Sequence, residues 1–366
     1  LRGRPWWQEA LYSAEYIVRL MLANVVAPRQ AIPTVQASLL LLVAIGAAGL
    51  GVYAYYLLPA VPPKARLIVS TTTSLYETGL LDELKSKFEL RYSNLNVSFI
   101  SQGTGLAMQT AMRGDADMIL VHDPAREHAF LNGGYGVNRK IVAYNFFAIV
   151  GPSEDPAGVS GESPSDALKQ IRSAGLEGRA VWVSRGDDSG THAKEKSLWK
   201  AAGFDVAQLR TEAWYLEAGS GMTATLKMAD QKRGYTLTDI GTYLLNLENH
   251  NIDLVKLVES GKSMLNVYSV IACNPKNQNM TKTNFEGSMQ LIRYLVSSEG
   301  QHLFATFGVS KYDQPLFKPY IELIESRIDP ELIGWIRDLA FIEGSECPEQ
   351  FRYQAEGLYL AQGSVG

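Results

Sequence analysis

Cysteine and histidine are scarce in this chain of 366 residues, and there is no excess of positive charge. Cys273 and Cys347 are the only cysteines. Two are too few for a disulfide-held scaffold, and neither sits in a C-x-x-C pair. The histidines (His122, His128, His192, His250 and His302) show no zinc-ligand spacing, so no metal site is expected. With 34 basic against 38 acidic side chains the net charge is −4. Six of the basic residues fall within 1–66 beside only Glu9 and Glu15, which leaves the rest of the chain clearly acidic. Such a body lacks the basic face of a general nucleic-acid binder. Any anion it holds must be gripped by local dipoles and a few placed charges. A 46% hydrophobic, 20% charged composition excludes wholesale disorder, and the length suggests two domains or slightly more.

Charge is missing altogether from Ala37 to Leu58, ASLLLLVAIGAAGLGVYAYYLL. Such a run is long enough for a hydrocarbon core of about 30 Å. Tyr53, Tyr55 and Tyr56 would meet the far interface, and Arg2, Arg4, Arg19 and Arg29 precede the run, placing the N-terminus on the cytoplasmic side. We therefore expect a transmembrane anchor at 37–58. A cytoplasmic or interfacial segment (1–36) would precede it, and a Pro-rich linker (59–65) would lead to an extracytoplasmic body. No lipid-attachable cysteine follows the run, and Leu58-Pro59-Ala60 makes a poor cleavage site, so an uncleaved single-pass anchor in the cell membrane is expected.

The body repeats one pattern. A strand at Arg66–Val69 leads into Ser70-Thr71-Thr72-Thr73-Ser74 and a helix with Leu80, Leu81, Leu84 and Phe88 on one face. A strand at Asn96–Ile100 leads into Gln102-Gly103-Thr104-Gly105 and a helix through Met108 and Met112, followed by a further strand at Asp117–Val121. A strand at Ala180–Val183 leads into Ser184-Arg185-Gly186-Asp187-Asp188-Ser189-Gly190-Thr191 and a helix holding Lys194, Leu198 and Trp199. Alternating strands and helices imply parallel α/β sheets. Each loop then lies at a strand's carboxyl end and a helix's amino end, where α/β sheets bind ligands and free N–H groups favour an anion. A single hydroxyl at a helix start is usually only a cap. Three such loops, one with Arg185 and two aspartates, point to a composite oxyanion site.

The stretches LIVSTTTSLYETGLLDELKSKFE, GDADMILVHDPAREHAF, GYGVNRKIVAYNFFAIVGPSEDPAG and VSRGDDSGTHAKEKSLW resemble the tungstate-binding proteins of ABC importers. The resemblance runs from about Leu67 to Phe317. It implies a two-lobed type II periplasmic-binding-protein fold, with a cleft between an α/β lobe 1 (66–150 and 271–325) and lobe 2 (151–270). Residues 326–366 form a C-terminal extension. The partners implied are an ABC permease and its ATPase. The ligand implied is tungstate or molybdate, held as an oxyanion, with no cofactor.

The resemblance carries the ligand role onto Thr72, Thr73, Ser74, Thr104, Gly105, Ser184, Arg185, Ser189, Gly190 and Thr191. Arg185 would supply the one full positive charge and a planar fork for two oxygens. Gly221, Met222 and Thr238 are supporting candidates from lobe 2. Asp187 and Asp188 admit two readings. They orient Arg185 and cap the following helix, leaving a cage of donors only, or one accepts a proton from a protonated oxyanion such as hydrogen phosphate. A phosphate binder or an anion-sensing ectodomain is thus the alternative function. Asp188-Ser189-Gly190 has a serine-nucleophile look, but His192 is not placed as a base by the sequence. No enzyme is expected.

Overall fold

The hydroxyl run after Val69 does not end the first strand. In the computed structural model, which describes residues 34–57, 63–259 and 261–359, Ser70, Thr71 and Thr72 extend it, because it lies between two others and is hydrogen-bonded on both sides. The described strands are β1 Ala65–Thr72, β2 Leu95–Gln102, β3 Met118–Val121, β4 Gly136–Gly151, β5 Trp182–Ser184, β6 Tyr215–Glu217, β7 Thr236–Asp239, β8 Val255–Val258, β9 Leu265–Cys273 and β10 Lys318–Pro319. The helix Leu80–Arg91 buries Leu80, Leu81, Leu84 and Phe88, the face expected from their spacing.

The sheets are mixed rather than parallel. β1 pairs parallel with β2 and β3, but β9 runs antiparallel to both β3 and β4, giving the order β10-β4-β9-β3-β1-β2. The exception has a topological cause, since a chain that leaves one lobe and returns must run in opposite directions. β4 is 16 residues long. It pairs with β9 as far as Phe146, then with β7 and β8 from Phe147. β5 and β6 pair parallel, and Trp182 bridges to Tyr235 just before β7. Each half of β4 meets its own core. Leu67, Val69, Phe88 and Val97 lie in one, and Trp182, Trp199, Trp214 and Tyr215 in the other. The rings of Trp182 and Trp199 meet edge-on at 5.3 Å, a contact that adds about 0.5–1.5 kcal/mol to simple burial.

Residues beyond 326 are built into this body. The helix Pro330–Ala340 packs Leu332, Ile333 and Ile336 against Ile141, Tyr144 and Val267. β4 breaks register twice near Asn138 and Val142, which frees backbone groups that need partners. Glu346 accepts the Ile141 N–H at 2.6 Å and pairs with Lys140 at 2.7 Å. Asn138, at φ 56°, accepts the Tyr353 N–H at 2.8 Å. Cys273 and Cys347 are buried free thiols.

The chain divides into two units at Pro62 and Pro63. The described part of the first is a helix, Thr34–Leu57. Its described side chains, 38–49 and Tyr53, are all exposed. Among the described residues no helix is long and apolar enough to cross a membrane. Residues 1–33 of the expected N-terminal segment (1–36), Leu58 of the expected anchor, residues 59–62 of the expected linker (59–65) and the terminus at 360–366 lie outside the described residues.

Candidate functional site

The three hydroxyl-bearing loops arrive at one place. Ser189 caps the helix Gly190–Ala201, its side chain accepting the His192 N–H at 3.2 Å. Gly190 opens that helix and donates its N–H to Thr104 Oγ1 at 2.9 Å. Thr104 in turn opens the helix Thr104–Met112 behind Gly103. The approach is close. A Cβ on Gly190 would sit 2.9 Å from His122 Cε1 and 3.1 Å from Thr104 Oγ1, so only glycine fits. Just after β1, Thr73 Oγ1 accepts from Arg185 Nη2 at 3.2 Å, and Thr72 and Ser74 hydroxyls lie 3.5 Å apart. Thr72, Ser74, Thr104, Ser189 and Thr191 are all buried.

Arg185 is 1% exposed. Asp187 Oδ2 accepts from its Nε at 3.1 Å and also from Nη2. Asp187 Oδ1 takes the Ser189 N–H at 3.2 Å. Burying a guanidinium is costly unless it is paired and hydrogen-bonded, and Asp187 supplies that pairing at the edge of the site. Thr191 Oγ1 is a buried hydroxyl with no hydrogen-bond partner among the described residues, and so is His192 Nε2. Burial pushes the His192 ring below its ordinary range, with Lys196 adding to it.

Several expected residues have other work. The Ser184 hydroxyl donates to Glu195 Oε2 at 2.9 Å. Glu195 also takes Trp182 Nε1 at 2.9 Å and the Tyr215 hydroxyl at 2.6 Å. The proton of Ser184 is therefore spent on holding β5 and β6 to the helix. Asp188 neither orients Arg185 nor caps the helix. It adopts φ 57° and turns outward, its carboxylate paired with Arg126 and its carbonyl accepting from Arg126 Nη1 at 2.7 Å. Gly105 serves that contact, since a Cβ there would stand 2.8 Å from Asp188 Oδ2. Gly221 lies at another rim, where a Cβ would meet Glu77 Oε1 at 3.0 Å. Nearby, Thr223 donates to Glu77 Oε2 at 2.8 Å. Met222 is a core residue packed with Val183 and Leu226. Thr238 is buried in β7 opposite Ala148 and bonds the Asp239 carbonyl at 3.0 Å. Met222 and Thr238 present no polar side-chain atom to the three loops.

His122, Arg126 and Glu77 belong to the site but were not among its expected residues, although all three lie in the stretches that carry the resemblance. His122 directly follows β3, at a strand's carboxyl end like the other loops, and that position is the signal the sequence holds for it. The contacts of Arg126 and Glu77 are not marked by local pattern, because their partners are remote in sequence.

A profile of the PBP superfamily domain matches residues 52–299. The chain belongs to the periplasmic-binding-protein superfamily. Tungstate-binding protein TupA of Peptoclostridium acidaminophilum is 40% identical over 260 residues, 70% of this chain and 86% of that protein. TupA of Campylobacter jejuni is 36% identical over 242 residues, 66% and 86% of the two chains. The solved structure of TupA from Desulfovibrio alaskensis G20 has a TM-score of 0.59 at 38% identity, covering 69% of this chain and 98% of that one. The tungstate ABC transporter structure from Geobacter sulfurreducens has a TM-score of 0.57 at 42% identity, covering 65% and 97%. In this superfamily member, the shared strand β4 and the returning β9 place the three loops opposite one another between two α/β lobes. Oxyanion binding is the function consistent with both the relatives and the donors.

Proposed function

We propose that this chain is the extracytoplasmic binding subunit of an ABC importer, capturing tungstate or molybdate and delivering it to a membrane permease and its ATPase. The observation that carries the reading is a fully buried Arg185 where three hydroxyl-bearing loops converge, followed six residues on by Thr191, whose buried hydroxyl has no partner among the described residues. A tetrahedral dianion has only acceptor oxygens. Arg185, Thr72, Thr73, Ser74, Thr104 and Thr191 would supply donors and one full positive charge, with the Gly190 N–H holding Thr104 in place. No bond in the ligand is made or broken, so the role is binding and not catalysis.

The phosphate reading drawn from the sequence has Asp187 or Asp188 accept the ligand's proton. Asp187 is committed to Arg185 and Ser189, and Asp188 to Arg126, which favours an ion without a proton. Calorimetry of the full chain in mild detergent against tungstate, molybdate, sulfate and phosphate tests this. Tungstate or molybdate is expected to bind tightest. Tighter phosphate binding, lost in Asp188→Asn, would overturn the assignment, and heat from none of the four ions would end the oxyanion reading.

We also propose that the helix Thr34–Leu57 holds the body to the outer face of the cell membrane. Its charge-free sequence and the exposure of Leu39, Leu40, Leu41, Leu42 and Ile45 support this. The lobes are taken as 66–150 with 271–325, and 151–270; the change of β4 partners at Phe146 and Phe147 supports a crossing close to that division. Protease added to intact cells should cleave the body. Protection until lysis would refute the topology.

A further inference from the structure

β3 is followed by a buried histidine whose proton has a defined place. Asn145 Nδ2 donates to the Leu316 carbonyl at 3.2 Å, an acceptor that cannot donate. Asn145 Oδ1 is thereby left to accept, and takes Asn266 Nδ2 at 2.9 Å. Asn266 Nδ2 also donates to the Tyr268 hydroxyl at 2.9 Å. Asn266 Oδ1 must then be the acceptor toward His122 Nδ1, 2.9 Å away. The chain of amides assigns the His122 hydrogen to Nδ1. The other nitrogen, Nε2, lies at the convergence of the loops, 3.1 Å from where a Cβ on Gly190 would stand, a point that is also 3.1 Å from Thr104 Oγ1. A neutral ring offers only a lone pair there, among groups that otherwise donate.

We propose that His122 is a direct ligand of the bound oxyanion, and that capture of a dianion is accompanied by uptake of one proton at His122 Nε2. This rests on the oxyanion reading above and deepens it. The balance is simple. A proton from water or buffer joins the Nε2 lone pair, the new N–H donates to an anion oxygen, and no other bond changes.

The surroundings set the direction of the linkage. The His122 ring lies between Tyr268 of β9, at 5.1 Å, and Phe147 of β4, at 6.2 Å. Arg185 is the charged group acting on it from the loop after β5. Asp239, the last residue of β7, acts on Arg185 and Tyr268, and Lys194 faces Phe147 at 5.8 Å. On its own segment, Asp123 is turned toward Arg126. Burial, with Arg185 adding to it, pushes the His122 ring down to about 4, so the ring is neutral at pH 7 before the anion arrives. Two negative charges at hydrogen-bond range oppose both causes and raise it. Affinity therefore increases as pH falls through the range between the free and bound values, by at most about tenfold per pH unit for one proton.

The test is calorimetry of the full chain with micromolar sodium tungstate between pH 6 and 8, in buffers of different ionisation enthalpy. Proton uptake approaching one per anion at the acidic end is expected, with affinity rising on acidification. His122→Asn should abolish both the uptake and the slope. Asn266→Asp places a carboxylate on Nδ1 and raises the free ring, so uptake should fall at a given pH while tungstate still binds, a response that a merely structural role would not give. Tungstate binding with no buffer-dependent heat in the wild-type protein would overturn the proposal, as would uptake persisting in His122→Asn. Absence of oxyanion binding in every buffer would instead overturn the oxyanion reading, and this inference with it.

Discussion

Arg185 and Thr191 differ in what the fold needs from them. Arg185 is buried against Asp187, and with a dianion present it is the permanent positive charge at the site. Arg185→Ala is expected to cost about 2–5 kcal/mol of tungstate affinity, by analogy with a broken buried charge pair. Arg185→Lys keeps the charge but loses the fork, so it should fall between wild type and alanine. Thr191 Oγ1 has no hydrogen-bond partner among the described residues. Thr191→Val should therefore leave the melting temperature unchanged or higher while weakening tungstate by about 1 kcal/mol, the ordinary worth of one hydrogen bond. Calorimetry alongside thermal melts checks all three. A large loss of stability in Thr191→Val would show that the hydroxyl serves the fold.

The helix Gly190–Ala201 links the site to the second core. Its first residue meets Thr104 and His122, and Glu195, in its second turn, gathers Trp182, Ser184 and Tyr215. Gly190→Ala adds a methyl where His122 and Thr104 leave less than van der Waals room. The lobes cannot approach fully, so binding should fall at least tenfold while the urea midpoint moves little. Glu195→Ala leaves buried donors unpaired at about 1–3 kcal/mol each. A clear drop in the urea midpoint is expected before any defect specific to the ligand appears. If Gly190→Ala bound tungstate normally, the close approach at Thr104 would not belong to the binding-competent form.

Opposed lobes touch at both rims of the site, through Arg126 with Asp188 and through Glu77 with Thr223. These contacts would form on closure and break on opening, which makes them brakes on release. Arg126 and Asp188 are 28% and 66% exposed in their side chains, so the pair is worth about 0.2–1 kcal/mol after solvent screening. Arg126→Gln and Asp188→Asn should each raise the tungstate off-rate by about two- to fivefold, as that energy dictates, with little change in on-rate. The double variant should do no more than either alone. Stopped-flow displacement reads this directly, and additive effects would show that the pair does not act as one latch. Small-angle scattering should show a smaller radius of gyration with tungstate, as expected of closure about crossing strands.

Local chemistry is legible along the chain. The spacing of Leu80, Leu81, Leu84 and Phe88 marks a helix face, and hydroxyls and glycines at strand ends mark where an anion would lie, because both depend on neighbours along the backbone. Thr73 meets Arg185 and Thr104 meets Gly190 where the loops converge. The direction of a side chain in that place is set by partners far away, which no local pattern encodes. Ser184 has the residue type and position of a ligand, yet Glu195, eleven residues on, takes its proton. Asp188 stands where a helix cap would, yet Arg126, sixty-two residues earlier, draws it outward. Met222 and Thr238 neighbour polar loops along the chain and are interior residues in space. His122 acquires a defined proton only through Asn266, Asn145 and the Leu316 carbonyl, which come from strands β9 and β4 and from a loop. Which groups stand at each strand end thus follows from the order of residues alone. Which of them keep a free donor follows from tertiary contacts, because a proton already given to a buried partner is not available to a ligand.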